Sequence, residues 1–313
     1  MRSLVFGGAG FLGSHLVEQL ALLAHEIVVV DDLSSGCTEN IQNLVIGGAV
    51  SFINQDICDP ISVPGKFDFV FNLASPASPP RYSLLQRQTL RTGSIGTLNA
   101  VEFALKKDAR FIQASTSEIY GDPTVHPQSE DYWGNVNPIG PRSCYDESKR
   151  FSEALCFAYH NECNLDLGIA RIFNTYGPRL NSLDGRVVSN LICQALLNEP
   201  MSVFGDGNQT RSFCFVSDLI SGLLKLAFSE FTGPYNLGNP NEISINELTQ
   251  MIKSLTGSNS HIEYHGLPVD DPNRRRPDIT KAKTDLGWTP EIDLNLGLQK
   301  TIDYFSSVGY PNR

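Results

Sequence analysis

The sequence predicts an α/β fold, a doubly wound parallel sheet with a smaller, interwoven α/β unit. Three observations carry this. Short apolar runs alternate with stretches of helical periodicity from the first residues to Ile172. A glycine-rich turn follows the first apolar run directly. Beyond Phe173 the chain becomes rich in turns but returns twice to strand-like sequence. At 313 residues, 41% hydrophobic and 19% charged, it can bury a large core in one big unit or two intimate ones.

Leu4-Val5-Phe6 reads as the first strand. It runs into Gly7-Gly8-Ala9-Gly10-Phe11-Leu12-Gly13, after which Leu12, Leu16, Leu20 and Leu23 recur at helical spacing. A second apolar run, Ile27-Val28-Val29-Val30, ends in Asp31-Asp32, about 20 residues past the glycines, as a Rossmann-type dinucleotide unit requires. Gly7 and Gly10 allow a tight turn and close backbone approach, Gly13 lets helix and strand touch, and the helix amino terminus attracts a pyrophosphate. Asp31 suits the ribose hydroxyls of an adenosine, and carboxylates at 31 and 32 would repel a 2′-phosphate, so the unit selects NAD over NADP.

The alternation continues through runs at 50–53, 69–71 and 110–112. Of the residues that follow them, Asp56, Ser75 and Thr116 line one crevice at the strands' carboxyl ends, with Ile57 and Leu73 as further cofactor contacts. Ser34, Ser35, Gly36 and Thr92 complete the expected cofactor contacts. A helix with Ile95, Leu98, Val101 and Leu105 on one face supplies a right-handed crossover. The expected division is a dinucleotide domain over 1–172, rejoined by roughly 212–240, with 173–313 mainly a substrate domain. Within the latter, 188–196 repeats at helical spacing, as do 280–286 and 296–305, and Phe204-Gly205-Asp206-Gly207 is a turn.

A formal net charge of −10 argues against a general binder of nucleic acid or membrane surfaces. The seven cysteines stand singly, with no CxxC pair and no metal-ligand spacing, as reduced thiols do; no metal is expected. The chain opens on strand-like sequence rather than a signal peptide, and no apolar run approaches the ~20 residues of a membrane span. A cytoplasmic protein is the expectation.

Tyr145 and Lys149 stand four apart at the start of a helical pattern, sharing one face. An ammonium beside a phenol favours the phenolate, lowering its pKa from about 10 and making a base. Thr116 or Ser117, at the end of the 110–112 strand, is placed to share the proton. Glu118 reads equally as a catalytic carboxylate or as a turn acid capping a helix. Arg179, Arg186, Arg211 and Arg275 supply cations for a diphosphate, although any one of them reads as well as a surface charge.

Gly7 to Gly13, Ser115 to Gly121 and Tyr145 to Lys149 together resemble the extended short-chain dehydrogenase/reductases that modify nucleotide sugars. Longer strings narrow this: residues 73–80, 120–123, 126–134, 137–142, 170–179, 184–190 and 271–278 resemble the UDP-glucuronate decarboxylases. The resemblance implies Tyr145 as base, Lys149 as its partner and a ribose ligand, and Thr116, Ser117 and Glu118 on the substrate side. It implies Arg275 beside the sugar carboxylate, with Asn174, Arg179, Arg186, Gln209, Arg211, Pro80 and Tyr82 around the nucleotide. It further implies UDP-glucuronate as substrate, UDP-xylose as product, and a homodimer through helices beginning near Ile95 and Tyr145. Oxidation at C4 turns the sugar acid into a β-keto acid, whose carbon dioxide leaves readily before C4 is reduced again. Glu118 is then expected to deliver a proton to C5, to relay one, or to disfavour the bound carboxylate. A 4,6-dehydratase would carry adjacent Asp and Glu where this chain has Ser117-Glu118, a 4-epimerase would need no acid there, and a nonenzymatic NAD sensor would leave an intact redox site unused.

Overall fold

The computed structural model describes residues 1–182, 184–267 and 274–308. Among these, seven parallel strands form the main sheet: β1 (Arg2–Phe6), β2 (Glu26–Asp31), β3 (Val50–Asn54), β4 (Phe69–Asn72), β5 (Arg110–Thr116), β6 (Leu167–Ile172) and an edge strand, Tyr235–Leu237. Reading across the sheet, the edge strand is followed by β6, β5, β4, β1, β2 and β3. Strand order therefore reverses between β1 and β4, and a doubly wound sheet opens its crevice at that reversal.

Strand alternation builds both faces. Leu4, Phe6, Val28, Val30, Val70 and Phe111 pack to one side, and Val5, Ile27, Val29, Phe71 and Ile112 to the other. Helix α1 (Phe11–Leu22) buries Leu16, Val17 and Leu20 on the second face. The first face takes Ala100, Val101 and Ala104 from the crossover helix Thr97–Lys107. Before that helix come α2 (Gln42–Ile46), α3 (Pro79–Leu84) and α4 (Gln86–Arg91), so the crossover helix is α5. A π-helical turn over Thr92–Gly96 joins α4 to α5. The extra residue in that turn moves Ile95 off the buried face of α5, leaving it 40% exposed. The same turn lies tight against α6 (Ser143–Cys163): a Cβ on Gly93 would sit 2.5 Å from that of Ser148.

Beyond β6 the chain makes β7 (Thr175–Tyr176), α7 (Val187–Leu196), β8 (Met201–Phe204), β9 (Thr210–Ser212) and β10 (Cys214–Phe215). It continues through α8 (Val216–Ala227), the edge strand β11, β12 (Glu242–Ser244), α9 (Ile245–Thr256), β13 (Ile262–His265), β14 (Arg274–Arg275), α10 (Thr280–Leu286) and α11 (Leu294–Val308). Of the two returns to strand-like sequence, β11 joins the main sheet beside β6, whereas β10 pairs with β7 apart from it. The cause is local, since β7 begins three residues past β6 and β10 runs straight into α8. β9 lies between β12 and β14, bringing Arg275 into register with Arg211. Among the described residues, no helix is long and apolar enough to cross a membrane.

One buried ion pair locks α6 to the sheet. Arg171 on β6 donates from Nε and Nη2 to Glu153 on α6, at 3.0 and 2.8 Å, and Ser115 on β5 donates to the same carboxylate at 2.5 Å. Breaking such a pair from one side leaves a dry, uncompensated charge. Arg171→Met should lower stability in urea unfolding by about 3–5 kcal/mol, while the double variant with Glu153→Leu recovers most of it; equal losses in the two would contradict this account.

Candidate active site

At the reversal point the first loop is shaped for close approach. Gly7 has φ +75°, and a Cβ on Gly13 would lie 2.0 Å from the Gly7 carbonyl oxygen. A Cβ on Gly7 would strike Leu73 and Ala74, in the loop after β4, at 2.8 Å. Helix α1 starts at Gly10 with no side-chain cap and no acid in its first turn, so its amino-terminal N–H groups and positive end face the crevice unopposed. Asp31, at the end of β2, accepts from Ala9 N and Leu33 N, both at 2.9 Å, through different oxygens. Each oxygen keeps a lone pair for a further donor. Burial pushes this carboxyl up against the pull of those hydrogen bonds. Asp32 turns away to hold Ser34 through its N–H and hydroxyl.

All the expected cofactor positions on the sheet's loops line one cavity of ≈ 400 Å³: Gly7, Gly10 to Gly13, Asp31, Asp32, Ser34 to Gly36, Asp56, Ile57, Leu73, Ser75 and Thr92. That volume lies in the usual range for small-molecule sites, roughly 300–1,000 Å³. The uncapped helix end, the side-chain-free glycine turn and the Asp31 carboxylate at the end of β2 match the donor and acceptor needs of NAD. Arg179 and Arg186 line the cavity as well.

Helix α6 carries Tyr145 in its first turn and Lys149 one turn later. Of the two hydroxyls expected beside the phenol, Thr116 is the one hydrogen-bonded to it. The Thr116 oxygen also accepts from Glu118 N at 3.2 Å, capping a short 3-10 turn over Ser117–Tyr120. Tyr82 stacks on Tyr145, centroids 5.3 Å apart and planes at 10°. Lys149 donates to the Ala114 carbonyl at 2.8 Å and lies 5.9 Å from the Tyr145 ring. The expected lowering of the phenol pKa by Lys149 is not what this arrangement produces. Burial dominates, pushing Tyr145 up to about 12, with Thr116 and Arg186 pulling it back. Burial likewise brings Lys149 down to about 8.

The second group centres on Glu118. Arg275 on β14 grips it with Nη1 on Oε1 at 2.7 Å and Nη2 on Oε2 at 2.8 Å. Arg142 adds Nη2 on Oε2 at 2.7 Å. Burial alone would raise the Glu118 pKa; Arg275 and Arg142 outweigh it and hold the carboxyl at about 2. Glu118 is therefore ionised and has no proton to deliver in this arrangement, which narrows the roles expected of it. Asp146, next to Tyr145, is pushed up to about 7 by burial and by Glu118, and its Oδ1 is buried without a partner. Arg142 ends one of the resembling strings and Asp146 lies inside the Tyr145 to Lys149 motif, but neither was singled out as a site residue. The usable signal was position: Arg142 immediately precedes α6, and Asp146 follows the candidate base.

Other expected substrate positions are dispersed around this core. Asn174 accepts from Arg275 Nη1 at 3.4 Å. Arg211 donates to the Thr210 carbonyl at 2.9 Å beside Arg275. Gln209 donates to the Phe204 carbonyl at 2.5 Å, and its Oε1 is buried without a partner. Arg186 pairs with Asp184 at 2.9 Å and donates to Ala77 O at 3.2 Å. Arg179, at φ +65°, reaches Glu18 on α1 at 2.6 Å. A Cβ on Gly185 would lie 2.4 Å from Pro80. Asp271, Pro272 and Asn273 of the late motif lie outside the described residues.

Residues 3–238 match the family described as NAD dependent epimerase/dehydratase. UDP-glucuronic acid decarboxylase 1 of Danio rerio is 52% identical over 305 residues, covering 97% of this chain and 72% of that protein. Among solved structures, UDP-glucose 4-epimerase of Thermotoga maritima, with UDP-glucose, superposes with TM-score 0.91 at 30% identity, over 98% of this chain and 99% of that one. UDP-glucuronic acid 4-epimerase of Bacillus cereus, in complex with UDP-glucuronic acid and NAD, gives TM-score 0.88 at 28% identity, over 99% and 100%.

Asp146 generates a pH prediction. Its folded pKa lies above the unfolded value, so the folded state keeps this proton longer, and stability from it is present at low pH and lost as pH rises through about 7. Asp146→Asn removes that loss. Relative to the unmodified protein, the variant should gain stability between pH 5 and pH 8 in urea titrations; a difference that does not move with pH would contradict the assignment.

Proposed function

The chain belongs to the NAD dependent epimerase/dehydratase family, among its UDP-glucuronic acid decarboxylases, and from that membership we propose how its own residues convert UDP-glucuronate to UDP-xylose. The observation that carries the reading is the closeness of two devices on one strand end. Thr116 bonds the candidate base Tyr145, and two residues on, Glu118 is gripped by Arg275. The first handles a hydroxyl proton and the second an acid group, as loss of a sugar carboxylate requires.

Tyr145, acting from its phenolate form, takes the proton of the C4 hydroxyl with Thr116 relaying; burial alone keeps the phenol protonated, so the positive charge of bound NAD would have to favour the phenolate. The glycine turn, Asp31 and Lys149 would hold NAD, which when bound would supply the capacity to accept the C4 hydrogen with its electron pair and to give it back. The C4 carbonyl so formed makes the C6 acid a β-keto acid. Its C5–C6 bond breaks, the electron pair delocalises onto the C4 oxygen, and carbon dioxide leaves. C5 then takes up one proton, and Tyr145 returns its own to the C4 oxygen, so the net change is one proton consumed and one carbon dioxide released. Arg275 orients the carboxylate, and Ser117 closes the substrate side of the turn. Asn174, Arg179, Arg186, Gln209, Arg211, Pro80 and Tyr82 hold the nucleotide. The domain division is a cofactor unit over 1–172, rejoined within 212–240, and a substrate unit over the remainder.

We further read the chain as a homodimer. Leu84, Leu90, Ile95 and Phe151, on α3 to α6 and the π turn, are 82, 44, 40 and 48% exposed, a run of apolar groups that a second copy would cover. The cysteines, all unpaired, suit a reducing compartment such as the cytosol.

Purified protein given UDP-glucuronate should release carbon dioxide and form UDP-xylose, and Tyr145→Phe should lower kcat by about 10²–10⁴-fold while NAD still binds. Conversion of UDP-glucose to UDP-galactose in its place would make the chain an epimerase. Phe151→Glu should shift the protein from dimer to monomer in analytical ultracentrifugation; an unchanged mass would remove this face from the interface.

A further inference from the structure

Two guanidiniums share one carboxylate in the candidate site. Glu118 Oε1 takes Arg275 at 2.7 Å, and Oε2 takes Arg275 at 2.8 Å and Arg142 at 2.7 Å. The three side chains are 13, 7 and 14% exposed, for Glu118, Arg275 and Arg142. The other acid facing them, Asp146, is driven toward its neutral form by burial and by Glu118 itself. Among the described residues, two guanidiniums therefore face one fully ionised carboxylate in a dry place, a condition under which a second anion binds well.

The two arginines are mounted differently. Arg142 stands at the start of α6, its carbonyl accepting from Tyr145 N at 3.0 Å and Asp146 N at 3.1 Å, so its backbone is fixed by the helix that bears the base. Arg275 is on a two-residue strand, hydrogen-bonded to Asn174 at 3.4 Å as well as to Glu118. If a sugar carboxylate is to take both Nη groups of Arg275, Glu118 must release them. An ionised glutamate left alone there would be a buried, unpaired charge, a loss large enough to oppose binding.

We propose that Arg142 is a positioning residue that retains Glu118 when the substrate's carboxylate takes Arg275, so that the exchange leaves no carboxylate unpaired. The inference rests on the reading of the site as a UDP-glucuronate decarboxylase. It makes Arg142 selective for the acid form of the sugar. A ligand without the carboxylate never displaces Glu118, so its binding does not depend on Arg142.

The test uses NAD-loaded protein in a Tyr145→Phe background, which blocks turnover, and compares binding of UDP-glucuronate with UDP-xylose by calorimetry. Arg142→Gln should weaken UDP-glucuronate about tenfold, with UDP-xylose held within about twofold. Arg142→Lys should restore part of the loss, because one charged donor remains. Adding Glu118→Gln to Arg142→Gln should bring UDP-glucuronate back toward the Glu118→Gln protein alone, since no charge is then stranded. Equal weakening of both ligands would reduce Arg142 to a structural residue and overturn the proposal. So would unchanged binding of both, or a loss that Glu118→Gln does not relieve. Failure of the background protein to bind either sugar nucleotide would instead sink the functional reading, and this inference with it.

Discussion

The geometry of the site depends on the buried contact between Arg171 and Glu153. Glu153 lies one helical turn beyond Lys149 on α6, so fixing its carboxylate against β5 and β6 fixes the rotation of the helix that presents Tyr145 and Lys149. Arg171 uses its remaining Nη1 on the Tyr120 hydroxyl at 2.9 Å and the Glu130 carbonyl at 2.8 Å. Tyr120 passes the chain on to Asn236, whose amide nitrogen bonds the carbonyls of Gln128 and Asp278. Gln128 in turn bonds Arg276 through its side chain and its main chain, both at 2.9 Å. A continuous polar path therefore joins the helix bearing Tyr145 to the segment bearing Arg275, and every atom named along it has a partner, as buried networks must to be worth their desolvation.

Burial acts on all four titratable groups at the centre, and what each faces decides the outcome. Tyr145 and Lys149 lack an opposing charge strong enough to offset desolvation, so both shift toward neutrality. Glu118 meets two guanidiniums and stays ionised, while Asp146, facing Glu118, takes the opposite course. Neighbouring carboxyls whose pKa values are driven apart are a common arrangement where protons and anions are handled together.

Much of this was legible in one dimension because it obeys local periodicity. Gly7 to Gly13 and Asp31 are tied by the fixed length of a strand-turn-helix-strand unit, and Tyr145 and Lys149 by the pitch of a helix. Glu118 was picked out by its place just after the strand ending at Thr116, and the resemblance of 271–278 gave Arg275 its expected place beside a carboxylate. Local rules also failed where a neighbour intervened. The π turn displaced Ile95 from its face, and β10 found β7 before it could reach the main sheet. Arg171, a charge in an otherwise apolar strand, went unmarked, although such a residue signals an acid waiting to meet it.

By itself the sequence determined the class of fold, a crevice at the strands' carboxyl ends and the pair on α6, since each follows from spacing along the chain. Only the tertiary structure decided which charges meet. Glu118 lies 24 residues from Arg142 and 157 from Arg275, and no periodicity spans such distances. Their convergence is set by how β5, α6 and β14 pack, and burial then fixes which of the meeting groups carry charge.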